Sequence, residues 1–123
     1  PPPHPAPPPT AVHHPLLHPL TASSCGWMMW NWMASSLFAG AAIVCFDGFA
    51  AYPKLSSPWD LVAKEKVTHM GTSPRYFQAC RARVRPMEAN DLSALRVIFS
   101  TGSPLSPEDF EYVYNKVKED GAL

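Results

Sequence analysis

Few side chains in this 123-residue sequence stand at spacings that chemistry requires. Cys25, Cys45 and Cys80 lie far apart and outside any C-x-x-C pattern, so they indicate neither a disulfide framework nor a zinc site. They read as core fillers of a protein in a reducing compartment. Four of the five histidines, His4, His13, His14 and His18, sit among prolines, and Pro15 interrupts the one helically spaced pair, so no metal site is expected. His69 lies inside a short apolar run, where a packed neutral imidazole fits better than a general base. One interior histidine cannot supply a Ser/His/Asp triad. The alternating "RARVR" of Arg81–Arg85 could meet a phosphate, but it stops before Pro86 and reads as a solvated helix exit.

Three stretches remain. "MGTSPRYF" and "STGSPLSP" each pass through Gly to Ser-Pro, presenting backbone amides and hydroxyls beside a helix start, where anions and polar ligands are welcome. The alternative is that Gly-Ser-Pro makes only a compact turn. Neither G-x-x-x-x-G-K-[ST] nor G-x-G-x-x-G occurs, so an independent phosphate cradle is missing. The third stretch, Trp27–Met33, holds three tryptophans and three methionines in seven uncharged positions. It suits a membrane anchor, a core helix or the wall of a ligand pocket.

The elements that carry these residues are unevenly distributed. Ten Lys plus Arg balance ten Asp plus Glu, so no global field draws the chain to nucleic acid or an anionic membrane. None of these charges precedes Asp47. Residues 1–20 hold nine of the fifteen prolines, which remove backbone donors and lock φ, so a disordered Pro/His-rich tail is expected over 1–22 with neither helix nor sheet. The charge-free run Cys25–Phe46 is long enough to cross a bilayer, but Asn31, Ser35, Ser36 and Gly40 interrupt it. Two elements fit better: a helix carrying Trp27, Trp30, Ala34, Leu37 and Phe38 on one face and ending at Gly40, then a strand "AAIVCF" closed by Asp47-Gly48.

Downstream, Ser57 as N-cap, Pro58 at the first helical position and Asp60 three residues into the helix predict a helix. "VTHMG" predicts a strand. Ser73-Pro74 opens a helix with Tyr76, Phe77 and Cys80, and "RVIFS" predicts another strand. Ser106, Pro107 and Asp109 mark the clearest helix start in the chain. Helix and strand alternate, so the fold class is α/β: a mostly parallel sheet with right-handed crossover helices. In such sheets ligands bind beyond the carboxyl ends of the strands, which is where both Gly-Ser-Pro loops fall.

Four segments, "CGWMMWNWMASSL", "GTSPRYFQAC", "DLSAL" and "STGSPLSPEDFEYVY", together closely resemble the acetoacetyl-CoA synthetase family of the adenylate-forming acyl-CoA synthetase superfamily. The resemblance covers residues 23–123, as part of the AMP-binding (adenylate-forming) domain, an internal slice of the family's large N-terminal domain, and leaves 1–22 unmatched. It implies a cytosolic two-step ligase: acetoacetate attacks the α-phosphate of Mg-ATP, and coenzyme A thiol then displaces AMP. It implies that Trp27, Met28 and Met29 line the acyl pocket with Thr101 beside them, and that Gly102, Ser103 and Pro104 lie against adenine. Trp30, Trp32 and Met33 are left as core packing. The family's Ser/Thr/Gly-rich phosphate loop, metal-binding motif and C-terminal catalytic lysine are not found in these residues. The expectation is therefore a fragment without catalytic or metal-binding residues of its own, inactive alone and binding ATP, Mg2+ and coenzyme A weakly at best. Small molecules are the expected partners, with no nucleic acid and no membrane, and nothing in the sequence indicates a protein partner. The alternative is a truncated non-catalytic product whose only role is binding a partner.

Overall fold

Three short segments pair as parallel strands, and the computed structural model of the protein describes them with their helices over residues 17–118. Strands β1 (Pro19–Thr21), β2 (His69–Thr72) and β3 (Val97–Ser100) lie side by side in that order. Their register aligns Leu20, Met70 and Ile98, and likewise Thr21, Gly71 and Phe99. Side chains alternate across a pleated sheet, so these two rows face opposite ways.

The first row faces the main core. Helix α2 (Ser57–Lys64) contributes Trp59 and Val62, and α3 (Pro74–Arg81) contributes Tyr76, Phe77 and Cys80. Helix α5 (Pro107–Tyr112), which continues as a π turn over Val113–Val117, adds Tyr112, Val113 and Val117. All pack in one buried cluster with Leu20, Met70 and Ile98. Each large side chain so removed from water contributes about 2 kcal/mol before its entropy cost. The opposite face is covered by α1 (Met28–Ser35), which buries Met29 and Met33 and sets Trp32 edge-on to Phe99 at 4.7 Å.

The fold class is as expected, an α/β arrangement on a parallel sheet. Several local expectations are overturned. The proline content predicts that residues 17–22 belong to a tail unable to form sheet, yet Pro19–Thr21 is β1. Proline is tolerated as the first residue of a strand, and the Pro19 carbonyl accepts a hydrogen bond from Val44 N at 3.0 Å. Residues 1–16, with most of the expected tail, lie outside the described residues. The run "AAIVCF" is not a strand: only Val44 bridges, to Leu20, after which Gly48 at φ 131° helps turn the chain away.

Helix α1 presents a different face from the expected one. Met29 and Met33, four residues apart, are buried, whereas Trp27 is 70 % and Phe38 98 % exposed. The helix gives way to a 3-10 turn over Ser36–Ala39, closed as expected by Gly40, at φ 78°. Among the described residues no helix is long and apolar enough to cross a membrane. Helix α2 begins one residue early: its N-cap is Ser56, and Ser57 Oγ instead accepts from Lys54 N at 3.2 Å. A short helix α4 (Pro86–Ala89) follows the arginine run and was not anticipated. Of the three cysteines only Cys80 is a core filler, because Cys25 and Cys45 fall on exposed connections.

Candidate functional site

All three strands of a parallel sheet release the chain on the same edge, and here those exits meet. After β1 the chain runs through Ser23 and Ser24, after β2 through Ser73, and after β3 through Thr101 and Gly102. Backbone bonds tie the exits together, Ala22 N to Gly71 O at 2.9 Å and Thr101 N to Thr72 O at 3.2 Å. They enclose one side of a cavity of about 540 Å³. The N-terminal end of α1, with Trp27, Met28 and Met29, forms another side, and Phe46 and Phe49 complete it.

Five of the seven residues singled out from the sequence, Trp27, Met28, Met29, Thr101 and Gly102, therefore line one cavity. Ser103 and Pro104 follow Gly102 as exposed residues outside that lining. Gly102 has φ 100°, a left-handed conformation that side chains disfavour, although a Cβ there would meet nothing within 4 Å. Its glycine is required by the turn of the backbone in this structure, and crowding plays no part. The Phe46 and Phe49 walls were missed from the sequence. The turn signal of Asp47-Gly48 between them was legible, but nothing local says that this turn reaches the sheet edge.

Among the described residues no ionisable side chain lines the cavity. Its walls are thioether, indole and phenyl, relieved by the hydroxyls of residues such as Thr72, Ser73 and Thr101. Such a surface can enclose and orient a small acyl group and offer hydroxyls to a polar end. It holds no group able to carry a proton or neutralise phosphate charge near pH 7, and no carboxylate suited to Mg2+.

The other candidates have structural roles. His69 lies outside the cavity beside the Trp32–Phe99 pair, its ring centroid 6.5 and 6.2 Å from theirs, and its Nδ1 is 2.8 Å from Thr68 Oγ1. Burial, assisted by the Arg96 charge, holds its pKa below the ordinary 6.5 and favours the neutral ring. Burial pushes the Cys80 thiol up, so it is not an activated nucleophile, and raises the neighbouring Tyr76 and Tyr112 phenols as well. Arg81 pairs with Asp109 at 3.4 Å, and Arg85 Nη1 donates to the carbonyls of Arg81 and Val84, so the arginine run serves the helix exit.

A family model described as "AMP-binding enzyme" matches residues 12–121. The chain belongs to the AMP-binding enzyme family. Its match begins inside the stretch read above as unmatched. Among similar proteins, the acetoacetyl-coenzyme A synthetase of Rhizobium meliloti (strain 1021) is 46 % identical over 102 residues, covering 82 % of this chain and 16 % of that protein. The acetoacetyl-CoA synthetase of Xenopus tropicalis is 37 % identical over 117 residues, 88 % of this chain and 17 % of the relative. The solved acetoacetyl-CoA synthetase from Streptomyces lividans superposes with a TM-score of 0.78 at 37 % identity, over 87 % of this chain and 17 % of that one. This AMP-binding enzyme chain thus spans about a sixth of the length of the relatives it matches.

Proposed function

We propose that the chain supplies the acyl-binding wall and the adenine-facing loop of an ATP-dependent ligase that activates acetoacetate and transfers it to coenzyme A. The observation that carries this reading is the convergence of all three strand exits with Trp27, Met28 and Met29 on one uncharged cavity. In the first step a carboxylate oxygen of acetoacetate bonds to the α-phosphorus of ATP and pyrophosphate leaves. In the second, the thiolate of coenzyme A attacks the acyl carbon and AMP leaves. The two thioethers and the indole pack along the four-carbon chain, where adaptable side chains shape a small pocket. Thr101 offers a hydroxyl beside it, and the backbone of Gly102, Ser103 and Pro104 lies along adenine. No lining residue suits Mg2+, so no step here runs through the ion. The same reading places the protein in the cytosol with small molecules as its partners, and neither nucleic acid nor membrane.

The test is a titration of the chain, labelled at its methionine methyl groups and backbone amides, with acetoacetate and separately with AMP at millimolar concentrations. Acetoacetate is expected to shift the Met28 and Met29 methyl resonances, and AMP the Thr101 and Gly102 amides. Shifts confined to other parts of the chain, or none with either ligand, would remove the assignment.

A further inference from the structure

Met29 rests on a strand position that has no side chain. Gly71, the third residue of β2, stands in register with Thr21 on β1 and Phe99 on β3. A Cβ on Gly71 would collide with Met29 Cε and lie only 2.9 Å from Thr21 Cγ2. Gly71 is not among the glycines with positive φ, so the position demands space and makes no special demand on the backbone. The thioether of Met29 therefore folds onto the sheet, leaving the residue 8 % exposed while the adjacent Met28 is 66 % exposed. One helical turn further on, Met33 is buried, and its Sδ accepts a hydrogen bond from Thr21 Oγ1 at 3.5 Å. That contact pins α1 over the sheet, so the helix has little freedom to lift away from an added side chain at residue 71. Met29 lines the cavity and Gly71 does not, so Gly71 acts through the methionine.

We propose that Gly71 is the positioning residue that sets acyl-chain length: its missing side chain gives the Met29 thioether a seat, and that seat keeps the cavity deep enough for a four-carbon acid. Any side chain at residue 71 drives the thioether up into the cavity. This inference rests on the acyl-pocket reading above.

The experiment compares the chain with Gly71→Ala, with Gly71→Ala/Met29→Ala and with Met29→Ala, following the methionine methyl spectrum and the dissociation constants of acetate, acetoacetate and hexanoate. Gly71→Ala is expected to move the Met29 methyl resonance and weaken acetoacetate about tenfold while leaving acetate within about twofold. The double variant, which removes the displaced thioether, is expected to bring acetoacetate back to within about threefold of the parent. A merely structural role for Gly71 predicts equal loss of both acids and no rescue, and that result overturns the proposal. So does an unmoved Met29 methyl. A methyl that moves while no acid responds leaves the seat in place but removes the acyl reading of the cavity, and the specificity role falls with it. Should Gly71→Ala not fold, Met29→Ala alone decides: hexanoate is expected to gain about tenfold over acetate, and no gain overturns the proposal.

Discussion

Ser106 and Asp109 cap each other at the start of α5. Ser106 Oγ accepts from Asp109 N at 3.3 Å and donates to Asp109 Oδ2 at 2.9 Å, while Asp109 has no exposed surface. Its other oxygen lies 3.4 Å from Arg81 Nη1, which joins α5 to the end of α3. Removing the serine hydroxyl would leave Asp109 N with only its 3.0 Å bond to the Ser106 carbonyl and a buried carboxylate oxygen without its donor. Ser106→Ala is therefore expected to cost about 2 kcal/mol, and Ser106→Thr much less, read from urea unfolding midpoints. A loss below about 0.5 kcal/mol would show that the reciprocal cap contributes little.

Met29 separates the two ligands of the proposed site. Met29→Trp fills the acyl side of the cavity and leaves the Thr101–Gly102 exit untouched. Acetoacetate affinity should fall at least about tenfold, with AMP affinity within about twofold. Equal losses would mean that Met29 supports the site without lining an acyl pocket.

Gly102 tests the adenine loop. Its φ of 100° makes Gly102→Val strained although the space around it is open, at about 1–2 kcal/mol of stability. The altered backbone should weaken AMP while the core cluster stays folded, as judged by near-ultraviolet dichroism. Unchanged AMP affinity would reduce Gly-Ser-Pro to a turn.

His69 predicts the sign of a pH effect. Burial and then Arg96 lower its folded-state pKa, so the unfolded chain binds the proton more readily. Its contribution to stability is present above the ordinary 6.5 and is lost as pH falls below that value towards the depressed folded-state pKa. Urea midpoints should drop between pH 7 and the mildly acidic range, and His69→Phe, which keeps a ring beside Trp32 and Phe99, should flatten that drop. An unchanged slope in the variant would assign the effect elsewhere.

Turnover is the fifth expectation. With no ionisable group lining the cavity among the described residues, the 123-residue chain by itself should show no acetoacetate-dependent exchange of pyrophosphate into ATP. Removing one well-placed electrostatic group commonly costs about a hundred- to a thousandfold in rate. Measurable exchange from the purified chain would show that groups outside the cavity lining enter the site.

Local rules made part of this protein legible from sequence. Proline's fixed φ marked Pro74 and Pro107 as helix starts, Ser106 and Asp109 announced their own cap, and Gly40 ended the first helical segment. Alternation of apolar helices and strands implied a parallel sheet, which in turn located both Ser-Pro loops at the carboxyl ends of the strands, where the cavity opens. Each of these signals acts within a few residues along the chain. Tertiary structure decided what depends on distant pairing. Nothing near Pro19 says that it begins a strand, because that strand exists only through its register with His69–Gly71, fifty residues away. Nor does the spacing in Trp27–Met33 distinguish a tryptophan face from a methionine face. Met29 and Met33 won because Gly71 leaves room for one and Thr21 holds the other, and both partners lie on strands that the helix meets only once the sheet has formed.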